Sequence, residues 1–179
     1  YRAEKIAHGI QAFYDRTGGF SAKFVQVVKK RGLKKGLKRT GHVYLKKGAV
    51  IPASKGQKER QENGKMRWDY PNEEIFYFSD GEVLWTYERR ERLAVRLPVK
   101  NSRLYQATSY LVGQGNLARD FKLSVAKSPL KGTVALKLIP KEGTQTMRSL
   151  TLVVDEKTHA VKASILVDPL GDSTTLRFS

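Results

Sequence analysis

The chain has 179 residues, 40% apolar and 28% charged, which is enough for one ordinary domain with its own core and is not a disordered composition. Its 34 Lys+Arg outweigh 17 Asp+Glu for a net charge of +17, and the absence of cysteine excludes disulfides, thiolate catalysis and Cys-based zinc sites. No apolar run approaches the roughly eighteen residues of a membrane-spanning helix.

In chain order, Ile6, Ile10, Phe13 and Tyr14 share one face of a helix predicted over residues 3–16, and Gly18-Gly19 stop it. The period then changes to two, with Phe20, Ala22, Phe24, Gln26 and Val28 alternating as a first strand. A glycine-rich basic stretch leads to a second strand at residues 42–45, pairing the two as a hairpin. Charge is unevenly spread: residues 1–65 hold 17 Lys+Arg against four acids, a net +13, and residues 66–179 a net +4. Lys29-Lys30-Arg31, Lys34-Lys35, Lys38-Arg39 and Lys46-Lys47 form the dense part, continued by Lys55, Lys58, Arg60 and Lys65. Such a block attracts the phosphates of nucleic acid or of anionic lipid headgroups, or is a solvated face, and charge alone does not choose among the three. Residues 48–64, with Pro52 and scattered glycines and charges, read as a long exposed basic loop.

Met66, Trp68 and Tyr70 alternate with Lys65, Arg67 and Asp69, giving a strand with one apolar and one wet face. Strands at residues 75–78, 83–87 and 93–97 follow, and Ser79-Asp80-Gly81-Glu82 is a tight hairpin turn. Asn101 or Ser102 caps a predicted helix reaching about Val112, with Leu104, Tyr105, Ala107, Thr108 and Leu111 on its inner face. The last third reads as strands at residues 121–125, 134–139, 150–154, 161–167 and 174–178, the final pair joined through Asp168-Pro169-Leu170-Gly171-Asp172. About eleven antiparallel strands with helices make a mainly β, α+β fold, and so many strands in one small domain must curl into a barrel or partial barrel. The helices then bury their apolar stripes on the concave side.

Catalytic patterns are missing. His8, His42 and His159 have no metal-ligand spacing. Gly113-Gln114-Gly115-Asn116-Leu117-Ala118 formally matches a dinucleotide fingerprint but follows a helix instead of a strand, and Gly36 to Gly41 has phosphate-loop spacing with His42 where the lysine must stand. The sequence is therefore read as that of a non-enzyme without a cofactor or metal. What it offers instead is apolar: Phe20, Phe24, Met66, Trp68, Tyr77, Trp85 and Tyr87, spread over neighbouring strands. An aromatic and aliphatic cavity without convergent polar groups suits acyl chains, each buried methylene being worth about 0.8 kcal/mol.

An ordered set of motifs runs nearly end to end: Phe20-x-Ala22-x-Phe24-x-Gln26, Gly41-x-x-Tyr44-Leu45-Lys46-Lys47, Met66-Arg67-Trp68-Asp69-Tyr70, Ser79-Asp80-Gly81-x-x-Leu84-Trp85-x-Tyr87, and the turn from Asp168 to Thr174. The set resembles the LolA family of periplasmic carriers of outer-membrane lipoproteins in Gram-negative bacteria. The resemblance implies one domain over residues 1–179, an incomplete eleven-stranded barrel with an α-helical lid over the concave face, and a cavity lined by Phe20, Phe24, Met66, Trp68, Tyr70, Trp85, Tyr87 and Leu111. It implies a monomeric carrier in the periplasm that takes acylated lipoproteins from an inner-membrane ABC transporter and passes them to an outer-membrane receptor. In the family a basic residue at the end of the second strand latches the lid through helix carbonyls, which places Lys46 and Lys47 in that role here. The family's usual arginine before proline is absent, and a lysine offers a point charge in place of a fork. The basic segment 48–64 reads as an insertion. Met66→Glu or Trp68→Glu is expected to leave the fold standing and to alter lipid loading. Three other readings stay open: a carrier or sensor of another lipid, a receptor-like half-barrel of the same type, and, less favoured, a basic nucleic-acid-binding domain.

Overall fold

The computed structural model describes residues 2–99, 116–143 and 147–179. The predicted first helix is α1 (Arg2–Asp15), with Ile6, Ala7, Ile10 and Tyr14 buried on one side. It leads into β1 (Gly19–Lys29) and β2 (Leu37–Lys46). The second strand is longer than the sequence pattern suggests, because Leu37 to Thr40 pair with the far half of β1 despite their charge. The segment after it is not a structureless loop: β3 (Val50–Ile51) and β4 (Arg60–Gln61) form a small separate sheet, with a bridge between Ser54 and Gln57.

Four strands follow as a meander, β5 (Lys65–Tyr70), β6 (Ile75–Ser79), β7 (Val83–Glu88) and β8 (Leu93–Pro98). After a four-residue helix, α2 (Leu117–Asp120), come β9 (Phe121–Ala126), β10 (Thr133–Pro140), β11 (Ser149–Asp155), β12 (Val161–Val167) and β13 (Ser173–Phe178). The predicted helix after Asn101, and Leu111 with it, lie outside the described residues.

Eleven strands form one antiparallel sheet in the order β8-β7-β6-β5-β2-β1-β13-β12-β11-β10-β9. The sheet does not close on itself: β8 and β9 are its edges. Two meanders, β1–β8 and β9–β13, meet at a central seam where Phe24 lies opposite Phe178 and Gln26 opposite Leu176. Lys23 and Ser179 complete it by exchanging backbone hydrogen bonds of 3.0 and 2.9 Å. The turns show why the register holds. At the β6–β7 turn the Asp80 carboxylate accepts from the backbone N–H of Glu82 (2.9 Å) and Val83 (3.0 Å), and Gly81 takes a φ of 94° that a side chain would resist.

Because side chains alternate along a strand, the register sorts them onto two faces. The inner face carries the main core, in which Phe24, Val43, Leu45, Met66, Trp68 and Tyr70 join Leu136, Leu138, Leu150, Leu152, Leu166 and Leu176. Helix α1 packs into this core against β9, β10 and α2. Tyr14 anchors it: its hydroxyl accepts the Val161 backbone N–H at 3.0 Å, and burial pushes its pKa up to about 12 although that bond opposes the shift. A second, smaller cluster of Ala135, Val153 and Ala163 sits on the outer face under Ala126 and Leu130.

Candidate functional site

The floor of the inner face is aromatic and closely packed. Phe24 meets Trp68 and Tyr70 edge-on, with ring centroids 5.1 and 5.2 Å apart, and Tyr70 meets Tyr77 at 5.6 Å. Gly41 makes this possible by pairing with Phe24: a Cβ there would stand 2.7 Å from Phe24 Cζ and 1.9 Å from the Asp69 carbonyl oxygen. One polar pair is built into the floor, the Tyr70 hydroxyl donating to Gln26 Oε1 at 2.7 Å with both residues buried. Burial raises the Tyr70 pKa far above the ordinary phenol range, nearby Tyr77 adds to this and Arg39 opposes it, so the hydroxyl stays a donor. The indole Nε1 of Trp68 is buried without a hydrogen-bond partner.

The rim is different. Along edge strand β8, Leu97 lies opposite Leu84, Val95 opposite Thr86 and Leu93 opposite Glu88. Followed through β6 and β5, these three ranks reach Met66, Trp68 and Tyr70, so Leu93, Val95 and Leu97 belong to the inner face. They are 48%, 38% and 44% exposed. At the other edge Val125 of β9, opposite the fully buried Leu136, is 41% exposed. Among the described residues the inner face thus runs from a packed floor to a part-exposed aliphatic row on β8 and to the part-exposed Val125 on β9. Beside the β9 edge, α1 and α2 help to line a cavity of about 560 Å³ whose lining is mixed, with apolar Ala7, Leu117 and Phe121 and polar Glu4, Gln11 and Lys141 among it.

The sequence-predicted residues divide accordingly. Phe24, Met66, Trp68 and Tyr70 come together on the inner face, each at most 4% exposed, and so form a filled floor and not an open wall. Phe20 is half-buried near the C-terminal end of α1, its ring 6.4 Å from Tyr14 and 5.6 Å from Phe178. Trp85 and Tyr87 are corrected: they pair with Phe78 and Phe76 on the outer face, 46% and 39% exposed. There they continue an external stripe in which the Arg67 guanidinium lies 5.3 Å from the Phe78 ring and 5.9 Å from the Tyr44 ring, and Phe76 stacks with Tyr87 at 6.4 Å. The error is one of parity. Both faces of β7 carry large groups, and only counting the register outward from Trp68 shows that Leu84, Thr86 and Glu88 are the inward set.

Of the two lysines, Lys46 is exposed, whereas Lys47 Nζ donates to the Asp15 backbone carbonyl at 2.8 Å and its own N–H to Gly18 at 3.0 Å. Lys47 therefore ties the end of β2 to the end of α1. The aliphatic row of β8 escapes a reading of the sequence, since Leu93, Val95 and Leu97 look like any strand until the sheet order makes theirs an edge. Among the described residues no group of three His, Cys, Asp or Glu side chains is placed to hold a metal ion, and no helix is long and apolar enough to cross a membrane.

Known proteins with this arrangement are distant in sequence. The family described as outer membrane lipoprotein carrier protein LolA matches residues 15–179. No curated protein matches. Among solved structures, a domain from Vibrio parahaemolyticus described as a candidate outer membrane lipoprotein-sorting protein superposes with a TM-score of 0.52 at 12% identity, covering 99% of this chain and 90% of that one. An uncharacterized conserved protein from Thermus thermophilus gives 0.51 at 11% identity, covering 99% and 85%. MucB gives 0.50 at 17% identity, covering 99% of this chain and 57% of its own.

Proposed function

The chain belongs to the LolA family of outer membrane lipoprotein carrier proteins, and on that footing we propose that it binds the acyl chains of lipoproteins on the inner face of its open sheet. The observation that carries the proposal is the part-exposed row Leu93, Val95 and Leu97, an aliphatic strip on the same face as the buried aromatic floor and separated from it by the inward side chains of β7 and β6. Such a strip binds by burial of methylenes and needs no particular headgroup chemistry. In this reading the protein works in the periplasm, loads from an inner-membrane lipoprotein-releasing ABC transporter and unloads to an outer-membrane receptor. Lys47, holding the Asp15 carbonyl, then acts as the latch that keeps α1 seated.

The test is native mass spectrometry of the purified chain with and without a synthetic triacylated lipopeptide, together with organic extraction of whatever co-purifies. The expected result is a one-to-one adduct with the acylated peptide and none with the same peptide lacking its acyl chains. Equal adducts with both peptides, or with neither, overturn the proposal.

A further inference from the structure

Two turns at one end of the sheet share a chemistry that the inner face does not use. The β1–β2 connection and the β12–β13 turn are neighbours, because β1 and β13 pair and Lys29 lies opposite Ser173. Asp172 clamps them together: its Oδ1 accepts the Arg31 backbone N–H at 2.8 Å, and its Oδ2 pairs with Lys30 Nζ at 3.3 Å. Asp168, buried beneath, fixes the second turn by accepting the backbone N–H groups of Leu170 and Asp172 at 3.0 and 2.9 Å, and Gly171 turns the chain with a φ of 90°.

This clamped platform holds three leucines out in solvent. Leu33 is 58% exposed, Leu37 59% and Leu170 72%. Around Leu33 and Leu37 the chain is basic, since seven of the eleven residues from 29 to 39 are Lys or Arg and none is acidic, and the Asp172 carboxylate beside Leu170 is paired with Lys30. Exposed large aliphatic groups beside a cluster of cations match the chemistry of an anionic water–lipid boundary, where the former find an apolar phase and the latter find phosphates. A nucleic-acid backbone would use the cations and leave the leucines in water.

We infer that this end of the molecule docks on an anionic bilayer surface, with Leu33, Leu37 and Leu170 entering the interface and the surrounding lysines and arginines meeting lipid phosphates. The docking surface is independent of the acyl-chain reading, because no residue of the β8 row takes part in it. It lies at the far end of β1 and β2 from Lys47, so docking leaves the α1 tether untouched.

The test is flotation of the full chain with vesicles of phosphatidylglycerol and phosphatidylethanolamine, against vesicles of phosphatidylcholine alone. The wild-type chain is expected to float with the anionic vesicles only, and to be released as salt rises from about 0.05 to about 0.5 M. The combined variant Leu33→Ser, Leu37→Ser, Leu170→Ser keeps every charge and is expected to bind at least about tenfold more weakly, with an unchanged circular dichroism spectrum. Replacing Lys34, Lys35 and Lys38 by Gln is expected to abolish the preference for anionic vesicles. A leucine variant that floats as well as the wild type overturns the inference, as does a wild-type chain that does not float. Tighter binding of a short DNA duplex than of vesicles at the same salt also overturns it, and assigns the basic block to nucleic acid.

Discussion

Replacing the aliphatic row of β8 by threonines, as Leu93→Thr, Val95→Thr and Leu97→Thr together, separates the candidate ligand surface from the core beneath it. Fully burying one such side chain is worth about 1.5–3 kcal/mol. With 38–48% of each still exposed, roughly 1 kcal/mol per residue is left for a ligand to bury, or about 3 kcal/mol for the row. At 1.4 kcal/mol per tenfold, the triple variant should bind a triacylated lipopeptide about a hundredfold more weakly. Threonine is β-branched, a shape that strands favour, so the sheet should survive with a modest loss of stability. Ile139→Thr is the matched control, since Ile139 is 42% exposed but lies on the outer parity of β10, next to the buried Leu138. Isothermal titration with the lipopeptide, at a temperature well below both unfolding midpoints, reads the difference. The reasoning is refuted if the triple variant binds like the wild type, or if Ile139→Thr weakens binding as much as the row does.

Tyr70→Phe strips the buried Gln26 carbonyl of its donor and should cost about 1–3 kcal/mol, lowering the thermal midpoint by roughly 3–8 °C; adding Gln26→Leu should return part of it in calorimetry. Lys47→Met removes the bond to the Asp15 carbonyl, worth at most about 1 kcal/mol at an exposed site, and hydrogen exchange should quicken at Ile10 to Tyr14 while β5 stays protected. Backbone N–H bonds from Val83 and Glu82 hold the Asp80 carboxyl below its ordinary 3.8. The stability this supplies is present above that value and lost as pH falls through the lower folded one, so the urea midpoints of wild type and Asp80→Asn should differ at pH near 6 and draw together as the pH is taken down through the lowered folded value. Trp68→Glu, 1% exposed in the wild type, places an unpaired carboxylate in the densest part of the floor, and circular dichroism should show an unfolded or strongly destabilised chain.

That prediction for Trp68→Glu runs against the sequence-based expectation that the fold is spared, and it marks where the sequence stops being informative. The strands are legible because period-two alternation and Asp-Gly or Pro-Leu-Gly-Asp turns are local signals, which is why all eleven strands of the main sheet can be placed from the sequence. The inward identity of Phe24, Met66, Trp68 and Tyr70 is legible for the same reason, since their neighbours Lys23, Lys65, Arg67 and Asp69 are polar. That of Trp85 and Tyr87 is not, because on β7 the aromatic parity is the exposed one and hydrophobicity points the wrong way. The small β3–β4 sheet is invisible to such a reading because two-residue strands carry no period. Whether an inward residue is floor or rim depends on which strands are edges, a property of the strand order that no local window contains.

The central seam bears on how the chain is made. The strand at the middle of the sheet, β1, has the last strand, β13, as one of its two partners, and its bonding is completed by Ser179. Pairs such as Phe24 with Phe178 span almost the whole chain. The two meanders can each form from neighbouring segments, but until β13 arrives the β1 side presents a long unpaired edge with apolar side chains behind it. Contacts of that sequence separation close slowly, and open edges invite pairing with other chains. Truncating the chain before β13 therefore splits the sheet at its centre, and during synthesis the sheet stays vulnerable to aggregation until β13 emerges.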